Sequence, residues 1–135
     1  MKFSVLTLLL FAASAVFGSS SVRSIANADI IQMTHENYNS VMKSDKPLVI
    51  DINASWCGAC KMMNPVIDTL SEEYKDTVLF AKIDYDSQHE LVQKYEIAGL
   101  PTILFFKAHE SEPYTKATGA LSAEQMREKI SELLK

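Results

Sequence analysis

The sequence predicts an α/β domain in which a sheet lies between layers of helices. Three observations carry this. Strand-length apolar runs alternate with segments of helical period in the order βαβαβαββα. Three of the runs, at 48–52 (LVIDI), 78–83 (VLFAKI) and 102–106 (TILFF), are almost continuously apolar, as strands covered on both faces are. The 135 residues, 47% apolar and 22% charged, make one domain's worth of ordinary globular chain.

The elements follow in order. Met1-Lys2 gives a positive start, 3–13 (FSVLTLLLFAA) is apolar apart from Ser4 and Thr7, and small residues gather at Ala15 and Gly18. This is the layout of a signal peptide over 1–18, with cleavage after either small residue. Carried on to Phe17 the run is about 15 residues, shorter than the roughly 20 that cross a bilayer as a helix, so a cleaved leader is favoured over a retained anchor. Residues 19–28 are small and polar, a short tether before a domain over 29–135. Residues 30–33 read as a short strand. Thr34 is placed to cap a helix through Tyr38, Val41 and Met42. The strand at 48–52 is followed by a helix over 57–74, with Met62, Val66, Ile67 and Leu70 at helical spacing and Pro65 as an internal breaker that should kink it. After the strand at 78–83, Ser87 is placed to cap a short helix carrying Leu91, Val92 and Tyr95. Gly99-Leu100-Pro101 is a turn into the strand at 102–106, and 114–118 reads as an edge strand stopped at Gly119. Ser122 and Gln125 form a capping box for a last helix, whose inner face carries Met126, Ile130, Leu133 and Leu134.

Composition excludes several function classes. Lys plus Arg number 13 against 17 Asp plus Glu, a net charge of −4 with no basic block, which argues against a nucleic-acid partner. Gly and Pro, four each, exclude collagen-like and Pro-rich chains. The two cysteines cannot build the multi-bridge framework of a small secreted scaffold.

The chemistry sits at Trp56-Cys57-Gly58-Ala59-Cys60. Two thiols three residues apart, after a buried strand and at the head of a helix, suit a redox dithiol. The first helical turn offers unpaired N–H groups and the positive end of the macrodipole, which favour a thiolate on Cys57. Cys60 lies one turn on, within reach for a small disulfide. A purely structural bridge would close so short a loop that it removes little chain entropy. A metal site usually needs four ligands, and His35, His89 and His109 stand at no ligand spacing to the cysteines.

With these residues in view, the chain resembles the thioredoxin family across 30–134. The resemblance rests on Val49-Ile50-Asp51 with its acid six residues before Cys57, on Trp56, Lys61-Met62 and Pro65 around the cysteines, on Ala81-Lys82-Ile83-Asp84, on Gly99-Leu100-Pro101-Thr102, and on Gly119. It implies a thioredoxin-like fold, a central mixed sheet flanked by helices on both faces. It implies Cys57 as attacking nucleophile and Cys60 as resolving thiol. Asp51 would be the buried proton acceptor behind Cys60, with Lys82 as its charged neighbour; the same pair also fits a structural ion pair. Pro101 would be a cis proline that, with Leu100 and Gly119, presents backbone to an extended substrate. Trp56 would cover the site.

Two departures stand out. Gly58-Ala59 occupies the place where the family's reductases usually carry Gly-Pro, which bears on the reduction potential. Asn53 stands where many members have Trp, thinning the apolar cover near the site. The resemblance implies a thiol–disulfide oxidoreductase, and the leader layout over 1–18 implies that it is exported, to the periplasm of a bacterium or to the secretory lumen or outside of a eukaryotic cell. It would be a monomer that acts on protein disulfides and dithiols, drawing on an electron donor, with no cofactor beyond the cysteine pair, no metal, and no membrane contact once the leader is removed. Reduction is the favoured direction. An oxidase or isomerase of the same fold, and a client-binding module with incidental redox activity, are the alternatives.

Overall fold

The sheet is built around a strand that is buried from Leu48 to Ile52. In the computed structural model, which describes residues 29–135, β2 (Leu48–Asn53) lies at the centre of five strands in the order β1-β3-β2-β4-β5. The leader expected at 1–18 and the tether at 19–28 lie outside the described residues. β1 is Ile31–Gln32, β3 Leu79–Asp84, β4 Thr102–Phe106 and β5 Thr115–Thr118. The helices are α1 (Tyr38–Met42), α2 (Gly58–Glu73), α3 (His89–Lys94) and α4 (Ala123–Leu133), which reproduces the expected element order.

β1, β3 and β2 run parallel, while β4 is antiparallel to β2 and β5 antiparallel to β4. The parallel β2–β3 pair needs a long crossover, and α2 supplies it. β4 and β5 need only the loop between them. The sheet is therefore mixed.

Alternation along β2 explains why its run is apolar apart from Asp51. Ile50 and Ile52 pack on one face with Val41, Leu91, Tyr95, Leu104 and Phe106. Val49 packs on the other with Met63, Ile67, Phe105, Met126 and Ile130. Successive side chains point to opposite faces, so a strand covered by helices on both sides has no position for an exposed residue. By the same alternation Asp51, two residues after Val49, lies on the face beneath α2 and is fully buried.

Several local expectations are corrected. Met62 is 71% exposed and Met63 takes the inward place. The buried stripe of α2 is Cys60, Met63, Ile67, Leu70 and Ser71, and Met62 stands five residues from Ile67, off the three-and-four rhythm of one helix face. Pro65 does not divide α2, which is one helix of 16 residues. Leu134 is 47% exposed because it is the cap residue, where the chain leaves α4. Thr34 does not cap α1 through its side chain. Asn37 holds the cap position, its Oδ1 accepting from Thr34 N–H at 2.8 Å and its Nδ2 donating to the Gln32 carbonyl at 2.8 Å. Gln88, not Ser87, precedes α3, without a side-chain cap. The capping box of α4 is present as expected, with Gln125 N–H donating to Ser122 Oγ and Ser122 N–H to Gln125 Oε1.

Candidate active site

The end of β2 and the start of α2 form a strand–turn–helix unit that brings both cysteines to one place. Cys57 is the cap residue of α2, and the Cys60 backbone N–H donates to its Sγ at 3.1 Å. Cys57 and Cys60 are joined as a disulfide, with Cα atoms 5.2 Å apart. Both are largely buried against Ala54, Tyr85 and Leu100. Cys57 keeps 7% of its surface and Cys60 2%, so Cys57 is the more accessible of the two. On reduction the same N–H groups and the positive end of a 16-residue helix face Cys57 Sγ and favour its thiolate. Gly58 and Ala59, between the cysteines, are exposed.

A cleft of about 220 Å³ opens at Cys57, lined by Trp56, Tyr85, Ala98, Gly99 and Leu100. Trp56 borders this cleft more than it covers it, because it is 65% exposed; its Nε1–H donates to Asp86 Oδ2 at 2.8 Å. The Leu100–Pro101 bond is cis. The Pro101 carbonyl accepts from Gly119 N–H at 2.8 Å, which ties the turn before β4 to the end of β5. Gly119 has φ +97°, a conformation that side-chain-bearing residues rarely take, so glycine is required there. Leu100 thus packs against Cys57, and the Gly119–Pro101 hydrogen bond joins Gly119 to the same turn.

A larger hollow of about 370 Å³ lies between His35–Glu36 and the stretch from Ser87 to Glu90, but shares no residue with the cysteine pair. Among the described residues no group of three His, Cys, Asp or Glu is placed to hold a metal ion.

Asp51 sits beneath α2, in register with Ile103 of β4 and Lys82 of β3. Burial pushes its carboxyl above the ordinary carboxylate value, while a hydrogen bond from Asn53 and, less strongly, the charge of Lys82 oppose the rise. The opposing groups are not in the order the sequence suggested. Lys82 Nζ is directed to α2, 3.4 Å from Asn64 Oδ1 and 3.8 Å from Asp68 Oδ1, and forms no ion pair with Asp51. Asn53 Nδ2 donates to Asp51 Oδ2 at 2.9 Å instead.

Asn53, Asp86, Tyr85, Asn64 and Asp68 were not among the sequence-derived site residues. The signal for Asn53 was present, since residues two apart on a strand share a face. Asp86 stands 30 residues from Trp56, and no local pattern links them.

The family described as Thioredoxin matches residues 29–132. The chain is similar to "Thioredoxin" of Acidithiobacillus ferridurans, 39% identical over 98 residues that cover 72% of this chain and 89% of that protein. It is similar to "Thioredoxin Y1, chloroplastic" of Arabidopsis thaliana, 36% identical over 105 residues, 77% of this chain and 60% of the relative. It is also similar to "Thioredoxin" of Alicyclobacillus acidocaldarius, 31% identical over 102 residues, 76% of this chain and 95% of that protein. The chain spans only 53% to 61% of the length of the chloroplastic relatives it matches.

Proposed function

The chain belongs to the thioredoxin family, and on that premise we propose that it reduces disulfides in extended segments of other proteins through Cys57 and Cys60. The observation that carries the reading is the cysteine pair at the head of α2, opening onto the cleft between Trp56 and Leu100.

The chemistry follows from the placement. The Cys57 thiolate attacks one sulfur of a client disulfide, forming a mixed disulfide and releasing the other client sulfur as a thiolate. Cys60 then gives its proton to Asp51 and attacks Cys57 Sγ. The Cys57–Cys60 bond forms, the mixed disulfide breaks, and the second client thiolate leaves and takes up a proton. Two electrons pass from the cysteine pair to the client. A dithiol reductant returns the pair to its reduced state by the same exchange in reverse. No cofactor takes part.

The reading includes export, supported by the charged start, apolar run and small residues over 1–18. It includes a monomer acting on its clients one at a time.

The test is reduction of an inter-chain disulfide in a protein substrate with a small dithiol as donor. The parent is expected to accelerate it well above the donor alone. Cys57→Ser and Cys60→Ser should each abolish the acceleration. A parent that gives no acceleration over the donor alone would leave only a binding module, and equal acceleration by the double variant would place the chemistry outside Cys57 and Cys60.

A further inference from the structure

Asp51 is a carboxyl group with no exposed surface and an uneven environment. Oδ2 accepts from Asn53 Nδ2 at 2.9 Å, while Oδ1 is buried with no hydrogen-bond partner among the described residues. We propose that Asn53 is a positioning residue for the resolving step: by holding Asp51 Oδ2 with its amide, it directs the proton that leaves Cys60 onto Oδ1. This rests on the oxidoreductase reading, because it needs a thiol to deprotonate.

The geometry gives Asn53 this place for reasons local to β2. Asn53 is its last residue and shares a face with Asp51. Its backbone is anchored, since Tyr85 N–H donates to its carbonyl at 2.8 Å. Its side chain is half-buried and its acceptor fully buried, so water competes poorly for the amide bond to Asp51.

Among the described residues no other element supplies the donor. From β3, Lys82 is in register with Asp51, but its ammonium lies at Asn64 and Asp68 of α2. Asp84, in register with Asn53, is exposed and acidic. From β4, Ile103 faces Asp51 in register and carries no polar group. From α2 come Cys60, the thiol in question, and Asp68, already beside Lys82. α4 presents Met126 and Ile130 to this side of the sheet.

The chemical consequence is directional. An amide N–H only donates, so the carboxyl oxygen facing it has to be the accepting one in either charge state. A proton arriving from Cys60 therefore resides on Oδ1. The same bond favours the carboxylate and works against the burial that raises the group. It keeps the acid able to release its proton once the disulfide has closed.

The test is the titration of the Asp51 carboxyl carbon by NMR in the purified, oxidised protein, with its resonance identified by Asp51→Asn. Asn53→Leu keeps size and removes the donor. Its Asp51 midpoint is expected to rise by about one pH unit, tenfold in the ionisation constant, as loss of a hydrogen bond to a charged group implies. The limb of the rate–pH profile for disulfide reduction that follows Asp51 should move up with it. An unchanged midpoint would give Asn53 a structural role only, and a lowered one would mean that the amide accepts; either overturns the proposal. Asn53→Ala carries the same test should Asn53→Leu fail to fold by circular dichroism. The oxidised-state titration needs no turnover. A parent that reduces no client disulfide would sink the oxidoreductase reading by itself. A parent that turns over, with a midpoint indifferent to Asn53, would sink this assignment alone.

Discussion

Trp56 is held by Asp86, its Nε1–H donating to Asp86 Oδ2 at 2.8 Å across 30 residues of sequence. A tryptophan with 65% of its surface exposed would ordinarily sample several rotamers, and this bond selects one. The ring then forms a fixed wall of the cleft at Cys57.

Asp86→Ala should free that wall. Trp56 is the single tryptophan of the chain, so its fluorescence reports the site without interference. Steady-state anisotropy of the indole is expected to fall. KM for a protein disulfide should rise several-fold, while the rate with a small aromatic disulfide, which needs no long cleft, should change little. Unaltered anisotropy would show that packing, and not Asp86, orients the ring.

The two cysteines should be unequal. Cys57 caps α2 and keeps more exposed surface than Cys60. In the reduced protein Cys57 is expected to titrate below the ordinary thiol value of about 8.5 and to react first with iodoacetamide. Cys60→Ser should accumulate mixed disulfides with client proteins, visible as bands that vanish on reduction, and Cys57→Ser should not. Equal trapping by both variants would reverse or abolish the assignment.

Asp51 should cost stability at high pH. Burial raises its folded pKa above the unfolded one, so between the two values the folded chain holds more protons than the unfolded chain. Stability must then fall as pH climbs through that window, by about 1.4 kcal/mol for each pH unit that separates the two values. Asp51→Asn removes this dependence. Urea midpoints should therefore rise in the variant, more at pH 8 than at pH 5, while turnover near neutrality slows because the proton acceptor is gone. A variant destabilised at pH 8 with unchanged turnover would mark Asp51 as a structural group.

Ser122→Ala should act far from the chemistry. It removes the acceptor for Gln125 N–H at the start of α4, a helix whose Met126 and Ile130 close the core beneath the sheet. The expected loss is about 1 kcal/mol of unfolding free energy, measured in urea, with disulfide reduction unchanged. A change in rate would mean that α4 influences the cysteine site.

Much of this was legible in the sequence because its signals are local or periodic. The runs at 48–52 and 102–106 could be read as doubly covered strands, and both are buried at every residue in the fold. The cysteine spacing located the head of α2. Met62 and Met63 were not separable by composition, since only the phase of the helix decides which of two adjacent methionines turns inward. The partners of Asp51 were half legible. Its burial followed from its neighbours in the strand, and the shared face of Asn53 follows from strand alternation. The diversion of Lys82 to Asn64 and Asp68 depends on where α2 crosses β3, which no spacing in the chain reveals.

The sheet stops on two modest edges, β1 with two residues and β5 with four. An exposed edge offers unpaired N–H and C=O groups to any other extended chain and is the usual template for aggregation. Here β1 is too short to recruit a partner strand. β5 carries Lys116, whose ammonium donates to the Tyr95 carbonyl at 3.2 Å and sets a positive charge on the outermost strand. The domain thus offers an unfolded, strand-forming segment little sheet to extend. For the reductase proposed above, this leaves the cleft at Cys57 as the place where a client would be held, in a bond that can be broken again, and not along a sheet edge that could seed a deposit.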